Sequence, residues 1–152
     1  MSIDSRTLLR RWFEEVWNQG REETVDELSA ANAIAHGLGE GSEQEHSAAD
    51  FKVFLRNMRS ALPDLRIHVA DTIVDGSKAV ARLTVEGTHR GEGLGVPASG
   101  RRVNISGIVI VRIENGKIVE AWNSWDQLGL LQQVGAIGKP PGSDRFLAQR
   151  GA

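Results

Sequence analysis

The sequence predicts an α+β domain: a curved antiparallel sheet whose concave face is covered by helices from the N-terminal half. Three observations carry this. Apolar residues recur at helical spacing as far as Leu62 and at every second position from Leu65 onward, so the period changes from 3.6 to 2 across Pro63. Asp75-Gly76 and Asn115-Gly116 each separate two apolar runs, and such pairs favour two-residue hairpins because positive φ costs them least. Most of the helices also precede the strands instead of alternating with them, which gives antiparallel pairing under a helical layer.

Element by element, Asp4 or Ser5 can cap a first helix whose apolar stripe is Leu9, Trp12, Phe13 and Val16, closed by Gly20. Glu22–Leu28 is a short second helix, with Val25 and Leu28 inward. Ala33–Gly37 is a short strand or an extended crossing segment, followed by a Gly/Ser/Glu-rich loop to His46. Ser47-Ala-Ala-Asp50 resembles a capping box. Phe51, Phe54, Leu55, Met58 and Leu62 then share one helix face, and Pro63 ends that helix because it disfavours helical geometry in Leu62.

The strands begin at Leu65. On the next, Lys78–Thr88, the odd positions are small or apolar and face the core, and His89 continues their phase. A glycine-rich connection, residues 91–100, leads to Val103–Ile113, which is apolar in both phases, as a central strand covered on both sides would be. The last strand follows the Asn-Gly turn. Provided no bulge interrupts it, Ile118, Glu120, Trp122, Ser124 and Asp126 share one face, and Val119, Ala121, Asn123 and Trp125 the other. Gln127–Val134 is a terminal helix closed by Gly135. We read one domain over residues 1–136 and an irregular tail, 137–152, with a short helix around Phe146-Leu147. A sheet closing into a cone around helices leaves a deep apolar cavity, a usual ligand site.

Several function classes are excluded. The net charge of −2 has both signs interspersed and no basic stripe, which argues against nucleic acid. There is no cysteine, hence no disulfide, thiolate metal site or cysteine nucleophile. Histidines 36, 46, 68 and 89 lack metal-ligand spacing. No signal peptide or membrane-spanning run is visible, and the expected location is the cytoplasm. The Gly91-x-Gly-x-Gly95 stretch joins antiparallel strands and opens no helix, which argues against a dinucleotide loop; no serine-hydrolase elbow is present.

Four pieces of sequence resemble the SnoaL-like polyketide cyclases (ester cyclases) of the NTF2-like superfamily. They are Leu62-Pro63-Asp64-Leu65, Gly87-Thr88-His89-Arg90-Gly91 with Gly100-Arg101, Arg112–Trp122 with its Gly-Lys-Ile-Val-Glu-x-Trp core, and Asp126 with Leu128–Gln133. The resemblance covers residues 5 to 135. It implies a cone-shaped α+β barrel, a homodimer formed through the outer sheet face, and a small hydrophobic carbonyl substrate. It further implies intramolecular aldol ring closure of a polyketide ester by an Asp acid/base, with no metal or organic cofactor. Asp126 matches that Asp. Asn123 departs from the pattern, since such proteins often carry Asp after the Trp.

Each candidate has a plainer alternative. Asp126 is either a general base in a dry pocket or the N-cap of the terminal helix. His89 either polarises a carbonyl beside Asp126 or is a satisfied structural histidine. Trp122 stacks on a flat substrate or fills the core, and Trp125, in the opposite phase, packs in a dimer interface. Glu120 is a second carboxylate of the site or an ion-pair partner of Arg82 or Arg112. His36 lines the cavity from the helical side, where Trp12 and Phe54 complete the expected substrate-binding wall.

Overall fold

The computed structural model describes residues 3–38 and 45–138. The expected tail helix around Phe146-Leu147 and the middle of the Gly37–His46 loop lie outside them. The described residues form four α-helices: α1 (Ser5–Arg11), α2 (Glu22–Leu28), α3 (Ala48–Ala61) and α4 (Gln127–Gln133). They pack on one curved, open six-stranded sheet. Its strands are β1 (Ser29–His36), β2 (Glu45–His46), β3 (Arg66–Asp75), β4 (Lys78–Thr88), β5 (Arg102–Glu114) and β6 (Lys117–Trp125), in spatial order β2-β1-β6-β5-β4-β3. All neighbours are antiparallel except β1 and β6, which run parallel. Among the described residues no helix is long and apolar enough to cross a membrane.

The expected chain reversals form for the expected reasons. Asn115 and Gly116 both have positive φ (53° and 73°), the I′ pattern that matches strand twist. Asp4 caps α1 by accepting from the Thr7 N–H at 3.0 Å. Ser47 and Asp50 exchange both bonds of a capping box at the start of α3, and that helix stops at Ala61, before Pro63.

The first helix differs from its expected form. After Arg11 it widens into a π-helix, Trp12–Asn18. Its wider turn, in which the Gln19 N–H reaches back to Glu14 O at 3.1 Å, brings residues five apart onto one side. Trp12 and Trp17 therefore both face Phe51 on α3, with ring centroids at 5.1 and 5.8 Å. Arg59 satisfies the carbonyls of Trp17 and Asn18 that the π-turn leaves free, at 2.6 and 3.1 Å. The Asn18 amide bridges to both backbone groups of Ile67 on β3.

Two one-residue bulges overturn the expected strand phases. Ala70 is left over between the pairs Val69–Leu83 and Asp71–Arg82, and Val119 between Ile113–Ile118 and Arg112–Glu120. Beyond each bulge the alternation reverses. Asp71 and Ile73 turn to the outer face, and Ala121, Asn123 and Trp125 turn inward with the buried residues of β5. β5 settles into the phase of its partner: Val103, Ile105, Val109 and Val111 are buried opposite the odd residues of β4.

The capping box supplies a stability test. Ser47→Ala should cost about 1 kcal/mol, read as a lower urea midpoint at unchanged m-value; an unchanged midpoint would show that α3 does not depend on its cap.

Candidate functional site

Between the helices and the inner sheet face lies a partly open cavity of about 380 Å³, within the range of small-molecule sites. Its walls are apolar and aromatic: Trp17, Phe54 and Met58 from the helices, Ile105 and Trp125 from the sheet, and Leu130 from α4. Among the described residues, the side-chain amides in its lining are Asn57 and Gln127. A separate, smaller chamber of about 40 Å³ is bounded by Trp12, Phe51, Val109, Val111, Ala121 and Asn123 among others. Among the described residues, neither lining contains a titratable side chain.

The glycine-rich connection forms one side of the large cavity through Gly93 and Leu94. It is fastened to α3 and does not hang free. The N–H groups of Arg90 and Gly91 both donate to Ala61 O, and a Cβ at Gly91 or Gly93 would overlap the carbonyl of Ser60 or Asn57. His89 holds the other end of this segment. It is fully buried, and its Nδ1 accepts from the Ser99 N–H at 3.2 Å and lies 2.9 Å from Ser99 Oγ. That bonding places the imidazole proton on Nε2, which is buried without a protein partner among the described residues. His89 belongs to neither cavity lining.

The candidate residues separate into three places. Trp12 and Phe54 face the interior as expected, Trp12 in the small chamber and Phe54 in the large one. Asp126, directly after β6, is an exposed N-cap of α4: its Oδ1 accepts from the Gly129 N–H at 2.9 Å. It is flanked in sequence by two cavity residues, Trp125 and Gln127, but belongs to neither cavity lining. Glu120, Trp122 and His36 lie on the outer face of the sheet. The bulge at Val119 is the physical reason, because it sends residues 120 and 122 away from the cavity and 125 into it. Trp125 thus belongs to the cavity, where a dimer contact was expected.

On the outer face the three form a stacked, charged unit. His36 Nε2 lies 2.8 Å from Glu120 Oε2, and its ring stacks on Trp122 at 5.6 Å and 14°. Arg112 reaches Glu120 at 3.3 Å and Glu114 at 2.6 Å, and Lys78 Nζ sits 5.7 Å from the Trp122 ring centroid. The His36 bond first and the Arg112 bond second hold the Glu120 carboxyl below the usual range, against the opposing effect of burial. The cavity residues missed by the sequence reading are Trp17, Trp125, Asn57 and Gln127. Trp17 was legible as the i+8 member of the stripe that begins at Leu9; Trp125 depended on the bulge, and Asn57 on α3 and Gln127 on α4 carried no signal of their own.

Comparison with known proteins gives the same architecture. The family model described as SnoaL-like polyketide cyclase matches residues 7–134. Aklanonic acid methyl ester cyclase DnrD of Streptomyces peucetius is 27% identical over 129 residues, covering 84% of this chain and 88% of that protein. Among solved structures, TsrD of Streptomyces laurentii superposes with a TM-score of 0.76 at 30% identity, covering 90% of this chain and 100% of its own. IdmH of Streptomyces antibioticus gives 0.75 at 26% identity, with 86% and 97% covered.

The outer-face unit supplies a pH test. Because Glu120 gives up its proton more readily in the folded chain than in the unfolded one, its contribution is complete above the unfolded value of about 4.3 and is lost as pH falls through its lower folded value. The difference in urea midpoint between wild type and Glu120→Gln should therefore shrink as pH drops below about 4; a difference that stays constant with pH rules out the charged pairing. With the cavity, the helical layer and the open sheet all in place, the match over residues 7–134 assigns this chain to the SnoaL-like polyketide cyclase family.

Proposed function

We propose that the chain closes a ring in a flat, largely apolar carbonyl compound by intramolecular aldol chemistry, with Asp126 as the acid/base. The observation that carries this reading is the position of Asp126. It is the carboxylate flanked in sequence by two residues of a cavity whose own lining is uncharged. Trp17, Phe54 and Trp125 supply aromatic surface for a planar substrate. Asn57 and Gln127 offer amide N–H groups to carbonyl oxygen as negative charge develops on it. The Asp126 carboxylate takes a proton from the carbon between two carbonyl groups. The resulting enolate carbon bonds to a second carbonyl carbon of the same molecule, and the alkoxide so formed recovers the proton. No atom is gained or lost. The S. peucetius relative is named aklanonic acid methyl ester cyclase, so aklanonic acid methyl ester is the first substrate to offer.

A second reading has its own support. Asp126 is in solvent and engaged as a cap, and the inward residue two strand positions from Trp125 is Asn123, a neutral amide. A cavity with no titratable wall can hold a ligand without transforming it. Asp126→Asn separates the two readings, because Asn caps as well as Asp but cannot act as a base. Under the first reading kcat falls by roughly 10²–10⁴ with ligand binding intact. Unchanged turnover would remove Asp126 from the chemistry, and binding without turnover by wild type itself would establish the second.

For the partner, the outer sheet face is the proposed site of a homodimer. Ile73 and Ile108 are 63% and 47% exposed there beside Val80, Ile110 and Trp122, an apolar surface larger than scattered single residues give. Light scattering at micromolar concentration should give twice the chain mass, falling to the monomer mass for Ile108→Glu; a monomeric wild type would refute the proposal.

A further inference from the structure

We infer that a ligand enters and leaves the large cavity beneath residues 94–98 of the glycine-rich connection, a tip that Leu94 and Val96 hold shut. This rests on the ligand-cavity reading above and adds to it the entrance and the residues that govern passage.

The connection is fastened at its two ends and not between them. At the first end the Arg90 and Gly91 N–H groups donate to Ala61 O, and Gly93 presses on the Asn57 carbonyl. At the second, His89 closes the base. Its N–H donates to Arg101 O at 2.9 Å, its carbonyl accepts from the Gly100 N–H at 2.8 Å, and its ring accepts from the Ser99 N–H at 3.2 Å. Among the described residues, the stretch 92–98 makes one hydrogen bond, from the Gly95 N–H to Glu92 O at 2.9 Å. That bond is internal to the stretch and ties it to nothing else.

What keeps the tip down is apolar packing. Leu94 and Val96 are half-buried against the hydrophobic core, whereas Glu92, Gly95, Pro97 and Ala98 are exposed. Leu94 also lines the 380 Å³ cavity; Val96 lines neither cavity. The rest of the large lining is held more firmly. It lies in helices or strands, apart from Gly93, pressed on α3, and Leu38 and Leu65, which are buried. The cost of a local opening follows the bonds and packing that must be broken, so this stretch opens before any other part of the wall. Its position suits passage. Asn57, exposed on α3, and the half-buried Leu94, Gln127 and Leu131 put the solvent side of the cavity between α3, this tip and α4. Lifting the tip widens that opening without disturbing a helix or a strand.

The test is stopped-flow binding of dihydroxyanthraquinone, a flat carbonyl compound, read by quenching of tryptophan fluorescence. Val96→Ala is the sharper variant, because it loosens the tip at a residue outside the cavity lining. It should raise the association and dissociation rates together by about fivefold, the worth of the apolar burial removed, and leave Kd as in wild type. Leu94→Ala also removes a wall contact, so it should raise both rates and weaken Kd besides; its association rate carries the test if Val96→Ala does not fold. Association rates equal to wild type in the folded variants overturn the entrance while leaving the ligand cavity standing. Failure of the quinone to bind wild type and variants alike overturns both.

Discussion

A single extra residue in β6 governs the site. Val119 is left over where β6 pairs with β5, and everything beyond it depends on that slip. Without it Glu120 and Trp122 would point inward and Trp125 outward. A carboxylate would then stand in a core built from Val109, Val111 and Ile118, where desolvating an unpaired charge costs several kcal/mol. One disrupted pair in the ladder is a smaller penalty. The bulge puts Glu120 where Arg112 and His36 can pair with it, and it swings Trp125 under Trp17. The same device at Ala70 in β3 turns Asp71 out to Arg82, which it meets at 2.7 Å.

This also separates what was legible in the sequence from what was not. Local signals were reliable: the Asn115-Gly116 turn, the Ser47–Asp50 box, the stop before Pro63 and the inward odd face of β4 all formed as their chemistry requires. A bulge leaves no such local mark. Ala70 and Val119 are unremarkable strand residues, and their displacement is decided by which neighbours must be buried across the sheet. The π-turn at Trp12–Asn18 left no mark either: Leu9, Trp12, Phe13, Val16 and Trp17 already fit an ordinary helical stripe, so nothing in their spacing asks for a wider turn. The parallel pairing of β1 with β6 joins residues far apart in the chain, and nothing near either strand announces it.

The glycines taught a similar lesson. A run such as Gly91–Gly100 suggests a flexible loop when composition alone is considered. Two of these glycines instead permit contact with the backbone of α3, and His89, buried beneath, ties the far side through Ser99. Glycine here buys proximity, and the connection becomes a cavity wall.

The distribution of charge sets the terms for any chemistry. Among the described residues the cavity walls carry no titratable side chain; Asp126 follows β6 in solvent, and Glu120 with His36 and Arg112 lies on the outer face. Such an interior can do two things well: exclude water, and hold a flat molecule in one plane. It cannot itself accept a proton. Ring closure of a dicarbonyl compound needs only one modest proton transfer once the chain is folded back on itself, and positioning supplies much of the remaining barrier reduction. In the proposed reaction a carboxylate beside the cavity suffices for that transfer once the substrate covers Asp126 and excludes solvent from it. On the proposed reading it is the bound molecule, and not the empty protein, that makes this carboxylate reactive.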